Sequence, residues 1–179
     1  MTRAFVAVQL PYDVLGAISR KTEGLQIHGG RTMKVWQWHL TLQFLGDDAD
    51  IGAVAAALDG FSVAGGRVQL GGAGAFPSAR RARVLWLGVI DGNDVLARLA
   101  AGVGERMARI GYEPDARPFR PHLTLVRCAA PTDVRAPIAA FGAEPVGPAW
   151  DVDTMTVFES DLRPEGARYI ERATVPLPR

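Results

Sequence analysis

The chain holds three histidines, and two of them open the same tetrapeptide: His39-Leu40-Thr41-Leu42 and His122-Leu123-Thr124-Leu125. In an extended strand side chains alternate, so the histidine and threonine of each copy share one face and the leucines take the other. Along that face the imidazole and the hydroxyl stand about 6.5 Å apart. If the copies pack about a pseudo-two-fold axis, the two His-Thr faces meet across one cleft. Two imidazoles then flank a phosphorus atom, and two hydroxyls can donate hydrogen bonds to its non-bridging oxygens. In-line displacement at phosphorus needs a base on the attacking oxygen and an acid on the leaving oxygen, on opposite sides. Histidines titrate near neutrality and suit both tasks, one neutral and one protonated, which predicts a bell-shaped pH–rate curve. A lone HLTL would be an ordinary strand; its repetition is what points to chemistry.

Other chemistries find no footing. Zinc sites want three or four Cys, His or carboxylate ligands, commonly at short spacings. Here the histidines are distant in sequence, Cys128 is the single cysteine, and neither tetrapeptide contains Asp or Glu. No metal and no cofactor is expected. Serine hydrolase chemistry lacks a G-x-S-x-G elbow. The run GGAGAF has no Lys-Ser/Thr of a phosphate-binding loop and reads as a flexible strand edge.

The surrounding elements must position the two motifs. Residues 3–10 (RAFVAVQL) predict a strand, and Pro11 opens a helix to about Leu25. A turn at Gly29–Gly30 leads into MKVWQWHLTLQFLG, a strand pattern ending at Gly46. Asp48 or Asp50 caps a second helix closed by Gly60. Two extended runs, RVQLGGAGAF and ARVLWLGVI, are joined by the turn PSARR. A third helix is expected from Asn93 to Ile110, stopped by Gly111. The proline-bounded loop EPDARPFRP delivers the chain into the short strand HLTLVR. Thr132 is expected to cap a short fourth helix with Pro137 near its start. Two last strands, DVDTMTVFES and ARYIERATVPL, flank the turn DLRPEG. No linker divides the chain, so residues 1–179 are expected to form one domain of α+β class with mainly antiparallel sheets.

Composition narrows the partners. Apolar residues make up 48% of the chain and no stretch approaches the ~20 needed to span a membrane. The apolar run after Arg3 is too short for a signal-peptide core, and the lone cysteine suits a reducing cytoplasm. Net charge is only +1, which argues against coating long nucleic acid. The basic residues other than Lys21 and Lys34 are arginines, whose planar forks grip phosphate oxygens bidentately. No obligate protein partner is expected, and nothing demands more than a monomer.

With these residues in view, the sequence resembles bacterial and archaeal RNA 2′,3′-cyclic phosphodiesterases, also called 2′–5′ RNA ligases, within the two-histidine phosphoesterases. The paired H-x-T-x signature is matched by the two HLTL copies. RAFVAVQLP, AFPSARRARVLW, RPFRPHLTLVR and FESDLRPEGARY are similar to the family's flanking segments, so the likeness covers nearly the whole chain. It implies a bilobal α+β fold with pseudo-two-fold symmetry, outer helices and a central cleft. It implies metal-independent hydrolysis of an RNA 2′,3′-cyclic phosphate end, or a nucleotide carrying one, to a 2′-phosphate. His39 would be the acid protonating the 3′ oxygen and His122 the base activating water, with Thr41 and Thr124 on the phosphate oxygens.

Arg127 matches an arginine usual after the second motif. Strict alternation turns it away from His122, so contact with phosphate or RNA requires a β-bulge or a strand end. Phe44 holds the equivalent place in the first copy, as a core residue or as a platform for a base. Gln43 stands where relatives commonly carry a basic residue, and alternation sets it on the cleft side. Trp36 and Trp38 flank the first motif and either stack on a base or wall the cleft. Arg80, Arg81 and Arg83 read as a solvated hairpin tip, and His28 as exposed. Rival uses of the same residues are 2′–5′ RNA ligation, turnover of a small cyclic nucleotide, and non-catalytic nucleotide binding.

Overall fold

The computed structural model describes residues 2–179. Strand β1 (Ala4–Val8) is buried along its whole length. Pro11 takes the N-cap of α1 (Tyr12–Lys21), where its missing N–H is no loss. The helix stops short of Leu25, because the Thr22 hydroxyl bonds back to the Ile18 carbonyl (2.9 Å) and Gly24 turns left-handed. The run 33–46 is not one strand. After β2 (Gly30–Thr32) comes a 3₁₀ turn (Val35–Gln37), and β3 (Leu40–Gly46) begins only beyond His39. The Gln37 side chain ties that turn down. Its carbonyl oxygen accepts from the Lys34 amide (2.9 Å) and its nitrogen donates to the Ala167 carbonyl (2.9 Å).

Of the two candidate caps for α2 (Ile51–Ala57), Asp50 serves, its carboxylate accepting from the Ala53 amide at 3.0 Å. Strands β4 (Gly66–Phe76) and β5 (Ala82–Asp91) form the hairpin across PSARR. Helix α3 (Asn93–Ala108) closes two residues early, and Gly111 supplies the left-handed stop. Strand β6 (Leu123–Thr132) outruns HLTLVR because pairing with β5 carries it on to Thr132. Thr132 therefore caps nothing. Its hydroxyl donates to the Ala130 carbonyl (2.9 Å), and Val134 takes the N-cap of α4 (Arg135–Phe141). The chain finishes with β7 (Trp150–Val152), β8 (Thr154–Asp161) and β9 (Arg168–Pro176).

Two antiparallel sheets result, in the orders β3-β1-β8-β9 and β2-β6-β5-β4-β7. The unit β1-α1-β3 recurs as β5-α3-β6, one copy in each sheet. The third strands are exchanged. β4, which follows the first motif, lies beside β5, whereas β8, which follows the second, lies beside β1. This interlocked α+β architecture is bilobal and pseudo-two-fold, with one apolar cluster running from β1 and α1 through α3 and β6 to Val175. A second, small cluster of Phe5, Ala7, Phe158 and Tyr169 lies apart from it on the first sheet.

In the glycine run of β4, Gly71 and Gly72 fall at a break in the register against β5, with Gly72 left-handed, whereas Gly74 serves packing. Gly74 faces Trp86 across the strands, where a Cβ would stand 2.3 Å from the indole ring. Only glycine lets that indole lie down on β4.

Candidate active site

Both HLTL motifs begin a strand and then break its alternation at the same place. Opposite β1, Ala7 faces Thr41 while its neighbour Val6 faces Gln43. Opposite β5, Trp86 faces Thr124 while Leu85 faces Val126. Each motif strand thus carries one extra residue, a β-bulge. Two successive residues then point into the core: Leu42 and Gln43 in the first strand, Leu125 and Val126 in the second. Phe44 and Arg127 are swung onto the exposed face that carries Thr41 and Thr124. Leu40 and Leu123 are buried behind the histidines, so each imidazole is backed by core.

The two rings are held alike. His39 Nδ1–H donates to the Gln37 carbonyl at 2.8 Å, and His122 Nδ1–H to the Arg120 carbonyl at 2.7 Å. A carbonyl can only accept, so Nδ1 carries the proton and Nε2 is left as the working atom in both. His39 stacks on Phe5 (centroids 4.6 Å) and meets the edge of Tyr169 (5.2 Å), with Phe158 behind at 6.4 Å. His122 meets Phe76 edge-on (4.9 Å), beside the Trp86 indole at 6.1 Å. Among the described residues, neither threonine hydroxyl has a protein partner, leaving both free to donate.

This setting pushes both histidines toward the neutral form. Burial drives the pKa of His39 down to about 4, against the pull of the Gln37 carbonyl, and the charges of Arg127 and His122 lower it further. His122 is also lowered, by burial first, with Arg127 and Arg120 adding to it against the Arg120 carbonyl. His39 feels the charge of His122, and both feel Arg127, so the three groups lie within electrostatic reach of one another. Burial raises the Tyr169 hydroxyl, opposed by Arg127, Arg3 and Arg31.

The structure therefore brings together His39, His122 and Arg127, with Thr41 and Thr124 on the same faces. Phe44 is exposed as a platform residue must be, but one side of its ring is taken by the Arg3 guanidinium (4.6 Å), itself held by Asp47 at 2.7 Å. Gln43 is a correction. The bulge turns it inward beneath α3, beside Gly104, so it cannot meet RNA. Its amide has no hydrogen-bond partner among the described residues. Because the 3₁₀ turn precedes β3, Trp36 and Trp38 part company: Trp36 is exposed and Trp38 buried. Both line a recess of about 500 Å³ with Arg20 and Lys34, apart from the histidines. Arg80, Arg81, Arg83 and His28 are exposed.

Sequence reasoning missed the walls: Phe5, Phe158 and Tyr169 around His39, and Phe76 and Trp86 beside His122. A signal existed for Phe5, since alternation in AFVAV sets it on the face away from Val6 and Val8. Among the described residues no group of three His, Cys, Asp or Glu is placed to hold a metal ion, and no helix is long and apolar enough to cross a membrane.

A family model described as the 2′-5′ RNA ligase superfamily matches residues 15–164. The chain belongs to that superfamily. An RNA 2′,3′-cyclic phosphodiesterase of Thermus thermophilus is 34% identical over 185 residues, covering 93% of this chain and 86% of its own. Among solved structures, Escherichia coli LigT complexed with 3′-AMP superposes with a TM-score of 0.81 at 27% identity, covering 99% of each chain. The same protein complexed with phosphate gives a TM-score of 0.77 at 25% identity, over 99% of this chain and 98% of that one. Membership of the 2′-5′ RNA ligase superfamily fits the duplicated motif strands and the exchanged third strands described above.

Proposed function

We propose that this protein hydrolyses RNA 2′,3′-cyclic phosphate ends to 2′-phosphates by histidine acid–base catalysis without a metal. The observation that carries this reading is the matched pair of imidazoles. Each is fixed through Nδ1 by a carbonyl two residues upstream, and each is set beside a free threonine hydroxyl. His122 Nε2 takes a proton from water, which attacks phosphorus in line. The bond to the 3′ oxygen breaks, and His39 Nε2–H protonates that oxygen as it leaves. Thr41 and Thr124 donate to the non-bridging oxygens, whose charge grows in the transition state, and Arg127 attracts the anion. The relative named as an RNA 2′,3′-cyclic phosphodiesterase and the 3′-AMP complex of LigT support this substrate class. Both lobes are needed, so residues 1–179 act as one unit, a monomer in the cytoplasm, where the buried thiol of Cys128 stays reduced.

Phosphorus NMR tests the reaction directly. A cyclic mononucleotide and a short cyclic-ended RNA, incubated with the enzyme in excess chelator, should both give a 2′-phosphate. A 3′-phosphate product, or turnover that appears only on adding a divalent ion, would overturn the proposal.

The depressed histidines also fix the pH dependence. In the free enzyme one ring must hold a proton and the other must not, with pKa values of about 4 for His39 and below the usual 6.5 for His122. The bell in kcat/KM should therefore peak on the acid side of pH 6.5 and fall about tenfold per pH unit above its upper limb. The bound phosphate anion favours imidazolium, so the bell in kcat should sit at higher pH. A kcat/KM plateau extending beyond pH 8 would show that the rings are not buried as described.

A further inference from the structure

Strands β2 and β6 are paired so that Arg31 stands directly opposite Arg127. Residues so opposed in an antiparallel pair share a face with Cα atoms about 5 Å apart, and like charges there repel. The register leaves little freedom to escape, since a Cβ on Gly30 would stand 2.7 Å from Val126 Cγ1 and the Met33 amide donates to the Leu125 carbonyl at 2.8 Å. Arg3, Arg98, Arg117, Arg135, Arg163 and Arg172 each hold a carboxylate; what sets Arg31 and Arg127 apart from the other unpaired arginines is that the register opposes them directly. Among the described residues, Arg31 and Arg127 form no ion pair and both are exposed. Two uncompensated forks side by side are unfavourable in the empty protein and favourable once an anion lies between them.

The two arginines reach different places. Arg127 acts on both histidines and on Tyr169. Arg31 acts on Tyr169, and its Nη1 lies 3.8 Å from where a Cβ on Gly166 would stand, in the turn between β8 and β9. Arg31 thus carries the positive surface from β2 toward the β8–β9 turn of the opposite lobe.

We propose that Arg31 and Arg127 together seat a second phosphate, the internucleotide phosphate on the 5′ side of the terminal ribose, so that the site prefers an RNA end to a cyclic mononucleotide. This rests on the reading of the cleft as a cyclic phosphodiesterase. The reacting phosphate is held by the histidine and threonine faces and attracted by Arg127, and the next one along the strand lies between Arg127 and Arg31. A mononucleotide offers nothing to Arg31.

The test compares kcat/KM for a 2′,3′-cyclic mononucleotide, the same nucleotide bearing a 5′-phosphate, a cyclic-ended dinucleotide, and that dinucleotide with an uncharged methylphosphonate linkage. Wild type should favour the charged dinucleotide over the mononucleotide. Arg31→Gln should lower that ratio by about tenfold, through KM, to near the value for the methylphosphonate. Arg31→Lys should restore part of it. A preference gained equally from a free 5′-phosphate would make the seat one for any 5′ phosphoryl group and overturn the claim of RNA selectivity. A loss shared equally by mononucleotide and dinucleotide, or no change in the ratio, would overturn the proposal while leaving the activity standing. A wild type inert on all four would overturn the cyclic phosphodiesterase reading and the arginine seat with it.

Discussion

Replacing His39 or His122 by alanine should each lower kcat on a 2′,3′-cyclic phosphate by about 10²–10⁴-fold, the range a positioned acid or base supplies. The double variant should be little worse than either single one, because the rings act on opposite ends of one displacement and are of use only together. Identical losses would not say which ring is the acid, since a bell-shaped curve is the same for either assignment. A leaving group that needs no proton separates them. If the 3′ oxygen of the cyclic phosphate is replaced by sulfur, the departing thiolate is a far weaker base than an alkoxide. Turnover of that substrate should survive His39→Ala and remain lost in His122→Ala. Rescue of His122→Ala instead would reverse the two roles. Because His39 is packed on Phe5 and Tyr169, its variant must be shown to be folded, and His39→Gln, which keeps more of the volume, should lose activity equally.

The threonines come second in size. Thr41→Val and Thr124→Val are near-isosteric and remove only the hydroxyl, so each should cost about 10²-fold in kcat with thermal stability almost unchanged. Loss confined to KM would mean that the hydroxyls hold the ground-state anion and gain nothing as its charge develops. Near-normal kinetics in either variant would remove that threonine from the site.

Much of this site was legible in the chain. The duplicated tetrapeptide announced two imidazole–hydroxyl faces, and alternation correctly buried all four leucines. What alternation could not reveal was the bulge. HLTLQF and HLTLVR both read as unbroken strands, and the polar Gln43 masks the pair of buried positions that Leu125 and Val126 show plainly. The condition attached to Arg127 was met by that hidden residue. The 3₁₀ turn was hidden for a different reason. Val35, Trp36 and Trp38 have strand-forming side chains, but Gln37 bonding to Lys34 and Ala167 overrides local preference. The aromatic walls were out of reach because they depend on distant partners: Phe5, Phe158 and Tyr169 meet only after β8 and β9 join β1.

The exchange of third strands bears on how the protein comes off the ribosome. Synthesis runs from the N-terminus, and early segments wait for later ones. A nascent chain that has already emerged past Leu125 owns both HLTL motifs, yet β1 still has an open edge where β8 belongs, and His39 lacks two of its three aromatic neighbours. The half-made enzyme is therefore not a half-active one. The aromatic setting of His39 is completed only when the last two strands cross back to the first sheet, which on the proposed reading ties the appearance of activity to the arrival of residues 154–176 and leaves the side of β1 open until then.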